Sequence, residues 1–130
     1  MRAAGDMLAG ILQGISTGIA TIFVESSSGE NMIVIVGGAN TRLTGEDVKK
    51  AEKEIRESAA VVTTLELDLE TVRVALETGR SHGVPTILNA APGRADLEQE
   101  ILSNVDILVG KLDQSGGTAR LYQRPPSERD

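Results

Sequence analysis

Short apolar runs alternate with longer stretches of helical period along most of this chain. Val61 to Glu66, V-V-T-T-L-E, is rich in β-branched residues and ends in a carboxylate, and it reads as a short buried strand. Before it, Val48, Ala51, Ile55 and Ala59 recur on one face and predict a helix over Asp47 to Ala59. Thr44 stands at its N-cap, with Asp47 as a shorter stand-in for the capping-box glutamate. Glu46 with Lys50 and Glu52 with Arg56 lace the other face at i,i+4 spacing. After the strand, Leu69, Val72, Ala75 and Leu76 predict a helix over Leu69 to Ser81, capped by Asp68, ended by Gly83 and barred from resuming by Pro85. Thr86 to Leu88 opens another strand, which leads into Asn89-Ala90-Ala91-Pro92-Gly93. Asp96 is expected to cap a third helix, Asp96 to Val105, carrying Leu97, Ile101 and Val105, and Asp106 to Val109 starts one more strand.

The first third of the chain has a different pattern. Met1 to Gln13 contains Leu8, Ile11 and Leu12 at helical spacing, and Gly14 to Gly18 reads as a turn. Ile19 to Val24 and Met32 to Val36 are strands joined by the polar, glycine-containing Glu25 to Asn31, which predicts an antiparallel hairpin. Gly37 and Gly38 then break its ladder. The order is a hairpin followed by α-β-α-β-α-β. Strands that alternate with helices of this length form βαβ units, so the fold class is α/β with a parallel sheet, and the hairpin stands apart from that sheet as a flap or edge. Gly110 to Asp130 has no period, carries Gly-Gly and Pro-Pro, and is expected to be disordered. The chain thus divides into an N-terminal segment 1–13, a domain 14–109 with the hairpin 19–36, and a tail 110–130.

Composition narrows the function classes. At 130 residues the chain is one domain or part of one. Thirteen Lys and Arg against nineteen Asp and Glu leave a net charge of −6, which argues against a nucleic-acid binder, and Phe23 and Tyr122 are too few aromatics for base stacking. The absence of Cys excludes disulfides and thiolate metal sites and fits a reducing, cytoplasmic compartment. Apolar stretches fall far short of a membrane span. Asp6 interrupts the apolar part of the N-terminus, so no targeting segment is read there.

In open α/β sheets, ligands bind beyond the carboxyl ends of the strands. Glu66 stands at that edge, where a carboxylate either holds paired hydroxyls or simply faces water. Asn89 ends the next strand and can bond hydroxyls or phosphate, though asparagine is also a common loop residue. Asn40, after Gly37-Gly38, reads as a turn residue. Gly14-Ile15-Ser16-Thr17-Gly18 matches the G-x-S-x-G elbow, but a strand follows where that motif needs a helix. The sole histidine, His82, falls at a helix end, where it favours the dipole and does not serve as a catalytic base. Gly37 and Gly38 precede a helix without any G-x-G-x-x-G or Walker pattern. Asp106 and Asp113 are too isolated to make a metal site.

Four stretches together resemble ribokinases of the PfkB carbohydrate-kinase family. They are S-T-G-I-A-T-I-F-V at Ser16 to Val24, G-E-N-M-I-V-I-V-G-G-A-N at Gly29 to Asn40, T-L-E at Thr64 to Glu66, and L-N-A-A-P at Leu88 to Pro92. The resemblance runs in order from about Gly14 to Val109. It implies a partial Rossmann-like ribokinase fold with a β lid, and phosphorylation of a sugar hydroxyl by ATP with a divalent cation such as Mg2+. The hairpin Ile19 to Val36 would belong to the lid, which covers the sugar and often builds a dimer interface. Glu66 matches the sugar-binding acid of the family, and Ala20 and Ile22 match lid positions over the sugar.

The departures bear on activity. The resemblance calls for G-G-K-G-x-N near the N-terminus, N-x-x-E where this chain reads G-K-L-D-Q, and a late G-A-G-D; none is present, and L-N-A-A-P replaces L-N-P-A-P. No catalytic residue, no metal ligand and no ATP-binding residue is therefore assigned. Two functions are expected. One is a truncated, inactive segment of a kinase that phosphorylates ribose or a related sugar. The other is a non-catalytic module that binds a sugar or forms a homodimer through the lid strands, whose edges are free to pair.

Overall fold

The computed structural model describes residues 14–94 and 97–110, together with the backbone of 120–123. The chain divides into two compact units, Met1–Ala39 and Asn40–Asp130.

The first unit contains the expected hairpin. Strands β1 (Ile19–Val24) and β2 (Asn31–Val36) pair antiparallel, from Ile19 opposite Val36 to Val24 opposite Asn31. The reversal is closed by Glu25 N–H donating to the Glu30 carbonyl (2.8 Å) and Gly29 N–H donating to the Glu25 carbonyl (2.9 Å). Gly29 sits at φ +73°, a left-handed conformation that glycine adopts without a steric penalty. Ten of the twelve strand residues are apolar, Thr21 and Asn31 being the exceptions, and all twelve are exposed within the chain. A hairpin with one buried face alternates apolar with polar residues, whereas here both faces are apolar.

The second unit is an α/β layer. Strands β3 (Val61–Thr64), β4 (Thr86–Asn89) and β5 (Ile107–Gly110) are parallel, and β6 (Arg120–Gln123) adds antiparallel to β5, giving the order β3-β4-β5-β6. The helix α3 (Leu69–Ser81) matches its sequence pattern residue for residue. Asp68 caps it, its carboxylate accepting Glu70 N–H at 3.1 Å, and Gly83 at φ +68° ends it. Its buried residues are Thr71, Val72, Val74, Leu76 and Gly79, while Leu69 and Ala75 are half-buried. Gly79 has no room for a side chain: a Cβ there would lie 2.8 Å from Val61 Cγ2 and 3.0 Å from Thr86 Cγ2, so glycine lets α3 lie close on the sheet. The core joins Leu65, Val72, Leu76, Leu88, Ile101 and Val105. Burying each such side chain contributes about 1.5–3 kcal/mol. No helix among the described residues is long and apolar enough to cross a membrane.

Several elements differ from the sequence expectation. The helix expected over Asp47 to Ala59 is two short helices, α1 (Gly45–Lys50) and α2 (Glu52–Arg56), broken at Ala51. Only Val48 is buried in either, and short helices depend on packing. At the break, Ala51 N–H bonds the Val48 carbonyl three residues back (3.0 Å), and Ser58 Oγ bonds the Ile55 carbonyl (2.7 Å), taking up a last-turn acceptor before Ala59. The expected Glu46–Lys50 and Glu52–Arg56 pairs are replaced by Lys49–Glu46 (2.7 Å) and Lys50–Asp47 (2.9 Å), at i,i+3. The N-cap, by contrast, is as read: Thr44 and Asp47 form a full capping box.

The third helix is shorter than expected. Here α4 spans Gln99–Ser103 with Glu98 at its N-cap, and Asp96 lies outside the described residues. Ser103 Oγ (2.7 Å) and Asn104 Nδ2 (3.1 Å) both donate to the Glu100 carbonyl and close the helix before Val105. β3 stops at Thr64, β4 extends to Asn89, and β5 begins after Asp106. Within the tail expected to be disordered, Arg120–Gln123 forms β6, because β5 presents an edge on which an extended segment completes its backbone hydrogen bonds. Met1 to Gln13 lies outside the described residues.

Candidate functional site

The carboxyl ends of the parallel strands bring together the residues most suited to holding a polar ligand. Burial alternates along them. Thr63 and Leu65 on β3 and its end, and Thr86 and Leu88 on β4, are buried toward the helices. Val62, Thr64, Ile87 and Asn89 fall on the other face by the two-residue strand period, and Val62 is 67% exposed. Thr64 is in register with Asn89, and Asn89 with Val109, so these three share one row at the carboxyl edge.

Glu66 follows two residues beyond Thr64 in a turn and is exposed. Its backbone N–H donates to Thr64 Oγ1 at 3.3 Å. Leu65 N–H donates to the Ala91 carbonyl (3.1 Å) and Ala90 N–H to the Val109 carbonyl (2.7 Å), tying the loops after β3 and β4 to their neighbours. Among the described residues nothing bonds the Glu66 carboxylate or the side-chain amide of half-buried Asn89. The edge thus offers an uncommitted acceptor on the turn after β3 and, at the end of β4, an amide that both donates and accepts, groups suited to hydroxyls.

The other candidates belong to other elements. Ala20 and Ile22 lie on one face of β1, with Ile33 and Ile35 opposite them on β2. Asn40 sits in a 3-10 turn over Gly38–Arg42, consistent with a turn residue. Gly14 to Gly18 runs into β1, so the strand-turn-helix of a hydrolase elbow is absent. His82 is the C-cap residue of α3, but its ring is held by a side chain: Nε2 lies 2.7 Å from Glu52 Oε1 of α2. Asp106 stands at the amino end of β5, where Oδ2 accepts Thr86 N–H at 3.0 Å; Asp113 lies outside the described residues. No three His, Cys, Asp or Glu side chains gather as a metal site among the described residues. Sequence reasoning passed over Thr64. Its signal was a hydroxyl residue two positions before the acid, the spacing at which Ser and Thr side chains close a turn on a following N–H.

Comparison with known proteins gives a consistent result. Residues 8–114 match the pfkB family carbohydrate kinase profile. The chain is 43% identical over 93 residues to the ribokinase of Staphylococcus aureus, covering 72% of this chain and 30% of that protein. It is 38% identical over 94 residues to the deoxyribokinase of Salmonella typhimurium, with the same two coverages, 72% and 30%. Among solved structures, the ribokinase from Giardia lamblia superposes with a TM-score of 0.65 at 32% identity, covering 76% of this chain and 32% of that one. Arabidopsis thaliana ribokinase complexed with ribose and ATP gives a TM-score of 0.55 at 28% identity, over 75% of this chain and 31% of that one. The chain therefore spans just under a third of the length of these relatives.

Proposed function

The chain belongs to the pfkB family of carbohydrate kinases, and from that premise we propose that Glu66 and Asn89 hold the hydroxyls of ribose or a related pentose. The observation that carries this reading is the Glu66 carboxylate, exposed and unengaged among the described residues, on the turn after β3, whose last residue Thr64 is in register with Asn89. One carboxylate accepts hydrogen bonds from two adjacent hydroxyls, and Asn89 supplies a donor and an acceptor at the end of β4. Ala20 and Ile22 enter the proposal through the family resemblance alone, as apolar lid positions over the sugar. Calorimetry tests the reading: ribose binds the parent chain, and Glu66→Ala binds it measurably more weakly.

The reaction of the family is transfer of a phosphoryl group from ATP to a sugar hydroxyl with a divalent cation. Among the described residues no acidic or histidine cluster gathers, and no phosphoryl-transfer step is assigned to them. The proposal gives these 130 residues the sugar-holding part of the reaction and no turnover on their own. The layout proposed is a kinase-like region 14–109 with its lid hairpin 19–36, flanked by segments 1–13 and 110–130, in a cytoplasmic setting without nucleic-acid partners.

The hairpin favours a second role. Ala20, Ile22 and Val24 face Ile35, Ile33 and Asn31 across one side, and Ile19, Thr21 and Phe23 face Val36, Val34 and Met32 across the other. One apolar side suits a sugar and the other suits a second protein surface. We propose that the Phe23 side forms a homodimer contact, and in a non-catalytic module that contact would be the principal function.

A further inference from the structure

We propose that Thr64 is a positioning residue for Glu66, and that its hydroxyl fixes where the sugar-binding carboxylate stands. The inference deepens the sugar-holding role proposed for Glu66 and rests on it. Glu66 is not part of β3: the strand ends at Thr64, and Leu65 and Glu66 form a turn. A carboxylate on such a turn is held only as well as its backbone is held.

Two hydrogen bonds hold it. Leu65 N–H donates to the Ala91 carbonyl at 3.1 Å and ties the turn to the loop after β4. Glu66 N–H donates to Thr64 Oγ1 at 3.3 Å and ties the acid to the strand end itself. Thr64 is in turn held by its place in the ladder, in register with Asn89. Its β-branched side chain has few allowed rotamers, so the acceptor oxygen is presented at low entropic cost. The three polar groups of the edge are thereby linked: Asn89 is set by register to Thr64, and Glu66 by a hydrogen bond to the same residue. A threonine hydroxyl accepts and donates at once, and only acceptance is engaged toward Glu66. The geometry also separates Thr64 from its neighbour Thr63, which is buried on the helix side with its hydroxyl near the Thr64 carbonyl at 3.5 Å.

The test uses the 130-residue chain with Thr64→Val, Thr64→Ser, Glu66→Ala and the double substitution Thr64→Val/Glu66→Ala, titrated with D-ribose by calorimetry. Valine keeps the branched shape and removes the acceptor; serine keeps the acceptor. T64V is expected to raise the Kd for ribose about 5-fold, the effect of one ordinary hydrogen bond. T64S should stay within about twofold of the parent, and T64V should add nothing in the E66A background. Exchange of the Glu66 amide with solvent, followed by NMR, should be faster in T64V than in the parent or T64S, a readout that needs no sugar. Parental affinity or unchanged Glu66 amide exchange in T64V would overturn the proposal while leaving the sugar reading intact, and so would an equal loss from T64V in the E66A background. A parent chain that binds no ribose would overturn the sugar reading itself, and this role of Thr64 with it.

Discussion

Asp106 holds Thr86. The carboxylate Oδ2 of Asp106, at the foot of β5, accepts the backbone N–H of Thr86 at the foot of β4 (3.0 Å), and Asp106 N–H donates back to Thr86 Oγ1 (3.0 Å). Thr86 is fully buried, and its hydroxyl donates onward to the Asn104 carbonyl at 2.6 Å. This clasp fixes the register of two parallel strands at one end. The same register places Thr64, Asn89 and Val109 in one row at the other end.

Asp106→Ala therefore destabilises the α/β unit, because it leaves the buried Thr86 N–H without its charged acceptor. The cost is about 1.5–3 kcal/mol. Denaturant unfolding of both forms checks it; a midpoint unchanged within error would show that the clasp contributes nothing.

The capping box of α1 gives a pH dependence. Asp47 is held down to about 2 by the Thr44 hydroxyl first, then by Lys50 and the Thr44 N–H. A carboxylate lowered in the folded state stabilises above its unfolded value, near 3.8, and that contribution is lost as pH falls through about 2. The N-terminus of α1 should fray between those two values. NMR titration of the Asp47 carboxyl reads this directly, and an unshifted midpoint would contradict the capping geometry. Thr44→Ala should raise that midpoint and cost about 1 kcal/mol of stability.

The hairpin should drive association. Ile22 and Phe23 are 59% and 57% exposed within one chain, on opposite sides of a two-stranded ribbon, and such a ribbon is marginal by itself in water. Sedimentation at rising concentration is expected to show dimers, and Phe23→Lys with Val34→Lys to abolish them. A parent that stays monomeric with an ordered hairpin would reject the proposed contact.

No turnover is expected from the 130 residues alone. Phosphoryl transfer needs metal-bound phosphates and donors for the developing charge, and loss of one such donor already costs about 10²–10³ in rate. A coupled ADP-release assay with ribose, ATP and magnesium should stay at background. Clear ribose-dependent release would show that the chain carries phosphoryl-transfer machinery of its own.

Strong local signals made much of this legible. Asp68, the Leu69–Ser81 periodicity and Gly83 bounded α3, and Thr44 with Asp47 announced their capping box, because caps and periods are written in neighbouring residues. The break at Ala51 was not legible, since the Val48–Ala51–Ile55 stripe shows apolar spacing but not how little of it is buried. β6 pairs through backbone groups, which leave no side-chain pattern to read. In the candidate site, Glu66 and Asn89 could be read from strand ends. Their common row and the Thr64 link depend on interstrand register, which a sequence does not display.

The central claim is that the Glu66 edge binds a pentose, and backbone NMR of the chain titrated with ribose tests it most directly. The predicted result is saturable shifts at Thr64, Leu65, Glu66, Asn89 and Ala90, and their weakening in Glu66→Ala by about 10-fold or more in affinity, the loss of a charge-assisted hydrogen bond. Shifts absent from this edge, or unchanged in affinity by Glu66→Ala, would contradict it.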